Sequence, residues 1–298
     1  MKKTLMQLAQ EEEQNYSSPI VAAKINGEVR DIQSEYDHDD EISFIELNTS
    51  LGWRIYQRSI LFLFIVAVSN MNKEAEVVAK FTVNKGLYCE VKIPGKPINA
   101  HLIHDIEQEM REMIANNIPI VKHSIPRQEA IELFQAHGKR GKAALIASLP
   151  HSMISIYTCR NYPDYLYGAM LPETKLLGQF ALDVEQSGVL IRTPDEMTDG
   201  KIRTRVEQPK FGHILSEAKE WAKILECPYI SDLNQINIEH RMGELIRISE
   251  ALQEKRIAQI ADHIASHRNN IRLILIAGPS SSGKTSFAQR LQIQLRVN

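Results

Sequence analysis

Residues Gly278-Pro279-Ser280-Ser281-Ser282-Gly283-Lys284-Thr285 satisfy every fixed position of G-x-x-x-x-G-K-[ST], and no other feature of the chain restricts its fold so sharply. The pattern needs a strand before it and a helix after it. Ile271 to Ala277 is a short, nearly continuous apolar run, which predicts a strand buried on both faces of a parallel sheet. From Ser286 to Val297, Phe287, Leu291, Ile293 and Leu295 recur among polar residues at helical spacing. Strand, loop and helix together predict a phosphate-binding unit.

The residue types suit that chemistry. Gly278 and Gly283 permit backbone conformations that let successive N–H groups point at phosphate oxygens. A helix opening at Lys284 adds the positive end of its dipole. Lys284 would reach the β- and γ-phosphates, and Thr285 would place a hydroxyl on Mg²⁺. The expected contact set for ATP is Gly278, Ser280, Ser281, Ser282, Gly283, Lys284, Thr285 and Ser286, with Thr285 as the metal contact. The competing reading is a chance match in a serine- and glycine-rich loop.

With 298 residues, the chain has room for two or three domains. A net charge of −2 argues against a general nucleic-acid-coating role, while leaving room for a local basic face. The acidic runs Glu11 to Glu13 and Asp37 to Asp40 read as solvated surface rather than a metal site. Cys89, Cys159 and Cys227 form no C-x-x-C, which suits a reducing compartment and gives no zinc knuckle. The apolar run Ile60 to Val68 is too short to span a bilayer and predicts a buried core helix. The start, "MKKTLMQLAQEEEQ", makes a poor leader, so a cytoplasmic protein without a membrane partner is expected.

Along the chain, residues 18–50 predict a small β-rich unit. Its first hairpin turns at Asn26-Gly27, a pair that tolerates positive φ. A strand is predicted over Ile42 to Leu47 and a helix over Trp53 to Asn70. A second hairpin turns at Asn84-Lys85-Gly86. A helix over Asn99 to Asn116 carries Ile103, Ile106, Met110 and Met113 on one stripe. After Pro126 come two short helices, then a strand-rich, tyrosine-rich stretch from Met153 to Pro194. From Phe211 the pattern is helical. Ile238 to His267 reads as a connecting helix of roughly 40 Å at 1.5 Å per residue, with coiled-coil dimerisation, and hence a homo-oligomer, as the rival.

These motifs resemble a known arrangement. "IVAAKINGEVRDIQSEYDHDDEISFIELNTSLGWRIYQRS" is similar to a TGS domain running into the second additional domain of threonyl-tRNA synthetase, and "KGLYCEV" and "DYLYGAMLPETKLLGQFAL" resemble later landmarks of that domain. Followed by "LIAGPSSSGKTSFAQRLQIQLRVN", the whole resembles the bacterial uridine kinase-like (nucleoside kinase) family with synthetase-type N-terminal domains. The resemblance implies an α+β, multidomain chain. Residues 1–52 would be a β-grasp-like TGS unit and 53–210 the synthetase-type α+β domain. A helical connector would occupy 211–268, and the first βα unit of a P-loop α/β kinase domain 269–298.

The synthetase domain removes mischarged serine from tRNA through H-x-x-x-H and C-x-x-x-H. By resemblance these positions fall on Arg58 and Phe62, and on Leu166 and Met170, so the editing chemistry is expected to be lost. His101, His104, His137 and His151 do not rebuild the spacing, and Cys89 reads as a buried small residue. The resemblance also implies ATP and a uridine-like nucleoside as substrates, with catalytic residues expected beyond residue 298 and the chain therefore a fragment, inactive alone. The alternative is an RNA- or ligand-binding regulatory module without catalysis in this chain. Trp53, Arg54, Tyr56, Arg58 and Lys80 to Lys85 are the candidate basic, aromatic-bearing face for RNA.

Overall fold

Asn26 and Gly27 both take positive φ, 51° and 85°, and turn the first hairpin as their residue types predict. A computed structural model describes residues 3–185, 188–198, 200–202 and 204–298. The chain divides into two units, Met1–His137 with Pro150–Gln208, and Gly138–Leu149 with Pro209–Asn298. It is an α+β protein, with three small antiparallel sheets among the described residues.

The first unit opens with helix α1 (Leu5–Glu12), followed by β1 (Ile20–Ile25), β2 (Glu28–Asp31) and β3 (Ile42–Glu46), which form a sheet of order β2-β1-β3. Leu5 and Ala9 of α1 pack with Ala23 and Ile32 in a small core of their own. Helix α1 is absent from the expectations above, although its start was readable. Thr4 Oγ1 accepts from Gln7 N and Gln7 Oε1 accepts from Thr4 N, a capping box written as T-x-x-Q in the sequence.

Helix α2 (Ser50–Met71) runs through the main core. Thr49 caps it by accepting from Gly52 N at 3.1 Å. Ile60, Phe62, Leu63, Phe64, Val66, Ala67 and Val68 are each 0% exposed, so the stretch from Ile60 to Val68 is apolar because it is enclosed. By length and composition it could cross a membrane, yet 67% of its apolar window is buried within the protein, as expected of a core helix.

Strands β4 (Glu76–Val83) and β5 (Gly86–Lys92) form the second hairpin, with Asn84 and Lys85 at positive φ. Helix α3 (Ala100–Ala115) buries Ile103, Ile106, Met110 and Met113, the predicted stripe. Then come β6 (Ile120–Pro126), α4 (Arg127–Ala136), α5 (Arg140–Ala147, part of the second unit), β7 (Met153–Cys159), β8 (Tyr162–Asp164), β9 (Ala181–Glu185) and β10 (Gly188–Arg192). They complete a four-stranded sheet β4-β5-β10-β9 and a three-stranded sheet β6-β7-β8.

The second unit contains α5, α6 (Pro209–Ile224), α7 (Ile230–Ile238), α8 (Met242–Ser266) and α9 (Lys284–Val297). The long helix expected over Ile238 to His267 is formed as α8 and starts four residues later, at Met242. His240 takes φ 58°, which ends α7 and lets α8 begin at Met242. Along α8 the buried positions are Ile257 and Ala261. They are covered by Leu291 of α9, flanked by Ile260, Ile264, Phe287 and Leu295. Over these turns, the apolar stripe that could have fed a coiled coil is met by α9 of the same chain. Arg290 Nε pairs with Glu254 Oε1 at 3.1 Å beside it.

Residues 271–277 do not form the predicted strand. They carry no regular secondary structure, and Leu273 and Leu275 are 76% and 83% exposed. A parallel strand requires a neighbour to take its N–H and C=O groups and layers to cover both faces, and no strand among the described residues pairs with this one. Of the expected βα unit, the helix is formed and the strand is not.

Candidate functional site

Two places carry the sequence-predicted site residues, one in each unit. In the first unit, α2 meets the segment 166–171. Arg58 Nη1 donates to Ala169 O at 2.5 Å. On the next residue, Ser59 Oγ accepts from Leu171 N at 2.9 Å and donates to Ile55 O at 2.8 Å. Gly168 has φ 97°, which favours glycine, and a Cβ there would lie 2.9–3.0 Å from the Arg58 guanidinium and push that side chain aside. Phe62 and Met170 are buried in the same core, and Leu166 packs against it. The four positions named above thus hold a guanidinium and apolar packing, without a side chain that ligates a metal or attacks a carbonyl.

Beside them lies a polar cluster that sequence reasoning missed. Asp31, 4% exposed at the end of β2, accepts at Oδ1 from Tyr157 OH at 2.8 Å and from Met170 N at 3.0 Å. Its Oδ2 accepts from Lys122 Nζ at 2.6 Å. Tyr157 OH also lies 2.8 Å from Gly168 O, and Gln33 Nε2 donates to Ile120 O at 3.1 Å, tying the first sheet to β6. Burial pushes the Tyr157 hydroxyl pKa well above its usual value, and the neighbouring Asp31 carboxylate pushes it further. Burial lowers that of Arg58, against smaller opposing effects of Tyr157, Asp31 and Tyr167. These partners are separated by 91 to 139 positions, and no local pattern announces them.

The candidate basic face is corrected. Tyr56 is 2% exposed, with its OH donating to Gln179 O and accepting from Gln179 N, both at 2.9 Å. Trp53 is half-buried in an edge contact with Tyr56 at 5.4 Å, Arg58 turns to Ala169, and Lys80 pairs with Glu90 at 3.6 Å. Of the four α2 residues, only Arg54 is exposed. Neighbours in sequence along a helix point in different directions, and three of these four face inward.

His101, His104, His137 and His151 are exposed, as expected, and His137 Nδ1 lies 2.8 Å from its own Leu133 O. Cys89 is fully buried and its pKa is pushed up to about 12 by burial; Cys159 is likewise buried and pushed up to about 11. Cys227 is half-exposed. A thiol reacts as the thiolate. Burial and the neighbouring Asp232 also raise the Cys227 pKa, so the expected result with a chromogenic disulfide reagent at pH 8 is one accessible thiol that reacts ahead of the others, removed by Cys227→Ser. The other two should react only on unfolding; fast reaction of Cys89 in the native chain would contradict its assignment as packing.

In the second unit, Ser281 has φ 59° and Gly283 φ 76°, and α9 starts at Lys284, so the loop 278–283 delivers the chain into a helix N-terminus. A Cβ on Gly278 would lie 2.7 Å from Ser282 Oγ. Lys284 Nζ folds back and donates to Pro279 O at 2.5 Å. Ser280, Ser281, Ser282, Thr285 and Ser286 are exposed. Hydroxyls, helix N-terminus and ammonium occupy one short stretch, a donor set that fits a phosphate chain.

No family model matches the chain. Threonine–tRNA ligase of Methylococcus capsulatus is 25% identical over 224 residues, covering 75% of this chain and 34% of that protein. The ligase of Clostridioides difficile is 26% identical over 224 residues, 73% of this chain and 35% of that one. That of Francisella tularensis subsp. novicida is 29% identical over 162 residues, 54% of this chain and 25% of that one. The chain spans about a third of the length of the first two curated relatives. It is distantly similar, over much of its length, to the N-terminal region of threonine–tRNA ligases, where their TGS and editing domains lie.

Proposed function

We infer that the Met1–His137 and Pro150–Gln208 unit is a binding module of threonine–tRNA ligase type, which takes RNA or a small ligand and carries out no hydrolysis. The observation that carries this reading is the content of one place in the fold: Arg58, Phe62, Leu166 and Met170, where the resemblance expects three histidines and a cysteine. A scaffold can keep its shape and its affinity after the reacting groups have gone, because function lives in the site. The test is filter retention of threonine tRNA at about 50 and 200 mM salt together with a seryl-tRNA deacylation assay. Salt-sensitive retention with deacylation at the uncatalysed rate is expected. Absence of retention at low salt removes RNA as the ligand, and turnover above the uncatalysed rate removes the non-hydrolytic reading.

A second reading is favoured by the loop at Gly278–Thr285. We propose that Gly278, Ser280, Ser281, Ser282, Gly283, Lys284 and Ser286 hold the phosphates of ATP and that Thr285 places its hydroxyl on Mg²⁺. The chain would then be the N-terminal part of an ATP-dependent nucleoside kinase of uridine-kinase type. Bound Mg²⁺·ATP would supply the transferable phosphoryl group; the residues of this chain bind and orient it. Lys284 would exchange Pro279 O for phosphate oxygens. Calorimetry with Mg²⁺·ATP should show saturable binding that Lys284→Ala abolishes. Binding that persists in Lys284→Ala, or none in the parent chain, rejects the loop as a nucleotide site.

A further inference from the structure

Two cations and one carboxylate meet where α2, β2, β6 and β7 converge on the segment 166–171. Asp31 is matched by Lys122 at 2.6 Å, which leaves that pair neutral. Arg58 is then a cation in excess. It is half-buried, and among the described residues no carboxylate forms an ion pair with it; its hydrogen bond to Ala169 O is a bond to a neutral acceptor.

A guanidinium carries five N–H donors in a planar fork that matches two oxygens of a carboxylate or phosphate. Nη1 is engaged by Ala169 O, and the side chain as a whole is only half-buried. Gly168 lies against the fork and contributes no side chain over it. A half-buried charge whose one bonded acceptor is a neutral carbonyl has lost more hydration than that partner returns, and Asp31, already bound to Lys122, acts on it only at longer range. An incoming oxyanion would restore it in a setting drier than bulk water, where the charge-assisted bond is stronger.

We propose that Arg58 anchors an oxyanion site bordered by Gly168, which takes a small carboxylate or a phosphate monoester. The proposal rests on the binding-module reading and names the ligand chemistry of that module. It is separate from the loop at Gly278–Thr285, which lies in the other unit.

Because that loop would also take phosphate, the experiment uses the full chain carrying Lys284→Ala. Thermal unfolding is followed in phosphate, acetate or chloride at matched ionic strength, and phosphate and acetate are titrated by calorimetry. Saturable stabilisation by phosphate or acetate, absent with chloride, is expected, and the two arms tell a phosphate ligand from a carboxylate one. Arg58→Met should weaken binding at least about ten-fold and lower the Tm in chloride, because the buried Ala169 O loses its donor. Arg58→Lys keeps the charge without the fork and should bind at least about three-fold more weakly, which preserves the comparison should Arg58→Met fail to fold. Equal effects of all three anions, or unchanged binding in the Arg58 variants, overturns the proposal. Retention of tRNA without anion binding rejects this site alone, whereas anion binding without tRNA retention rejects only RNA as the ligand.

Discussion

Asp31→Ala lowers the unfolding free energy of the Met1–His137 and Pro150–Gln208 unit by about 2–4 kcal/mol. The readout is urea unfolding followed by Trp53 fluorescence in a Trp221→Phe background. Three donors lose their acceptor at once: Met170 N, Tyr157 OH and Lys122 Nζ. Their costs differ. Lys122 has 30% of its side chain exposed, so water recovers part of its solvation and its share is small. The Met170 amide belongs to a residue 1% exposed and has no such recourse. Tyr157 can keep Gly168 O as an acceptor, which sets the upper limit of the loss. Asp31→Asn retains an acceptor oxygen and should cost about half as much. A change below about 1 kcal/mol for Asp31→Ala would mean that the cluster is not the clasp between β2, β6 and β7 described here.

Phe62→His, which reinstates one expected imidazole, destabilises the same unit by about 3 kcal/mol at pH 8 and produces no deacylation activity. Phe62 is 0% exposed, so the smaller ring leaves a void and its nitrogens find no water. The sign of the pH dependence follows from burial. An imidazole enclosed in apolar surroundings has its folded pKa depressed below the unfolded value of about 6.5. The unfolded state then binds the proton more readily, and stability falls as pH drops below about 6.5, by up to about 1.4 kcal/mol per unit. Unfolding curves at pH 8 and pH 5 check this. A variant less destabilised at pH 5 would require an anionic or hydrated pocket at Phe62, contrary to a packed core.

Most of the first unit was legible because its signals are local. Asn26-Gly27 and Asn84-Lys85-Gly86 name their turns, and the spacing of Ile103, Ile106, Met110 and Met113 names a helix face. Helix α1 is equally legible through Thr4 and Gln7, a signal passed over where the segment is weighed only for, and against, a leader. What could not be read locally depends on distant partners. Asp31 looks like any strand-end carboxylate until Lys122 and Tyr157 arrive from β6 and β7. Arg58 and Tyr56 look like a basic aromatic surface until α2 is enclosed. The run 271–277 shows the converse: its apolar character reports fitness for a buried strand, and no strand among the described residues pairs with it.

The pairing of α9 with α8 has a consequence for how firmly the phosphate loop is presented. Between Ser266 and Lys284 lie 17 residues (283 − 266) without helix or strand. A chain of that length reaches about 20–25 Å root-mean-square, which holds α9 near its groove at an effective concentration on the order of millimolar. The contact, three buried residues (Ile257, Ala261 and Leu291) flanked by four partly buried ones, is small for joining two separate molecules, and the leash makes it intramolecular. The helix that carries Lys284 and Thr285 is thus a captive ligand of α8. Severing the leash at Arg272 would turn a unimolecular equilibrium into a bimolecular one and release the loop together with its helix.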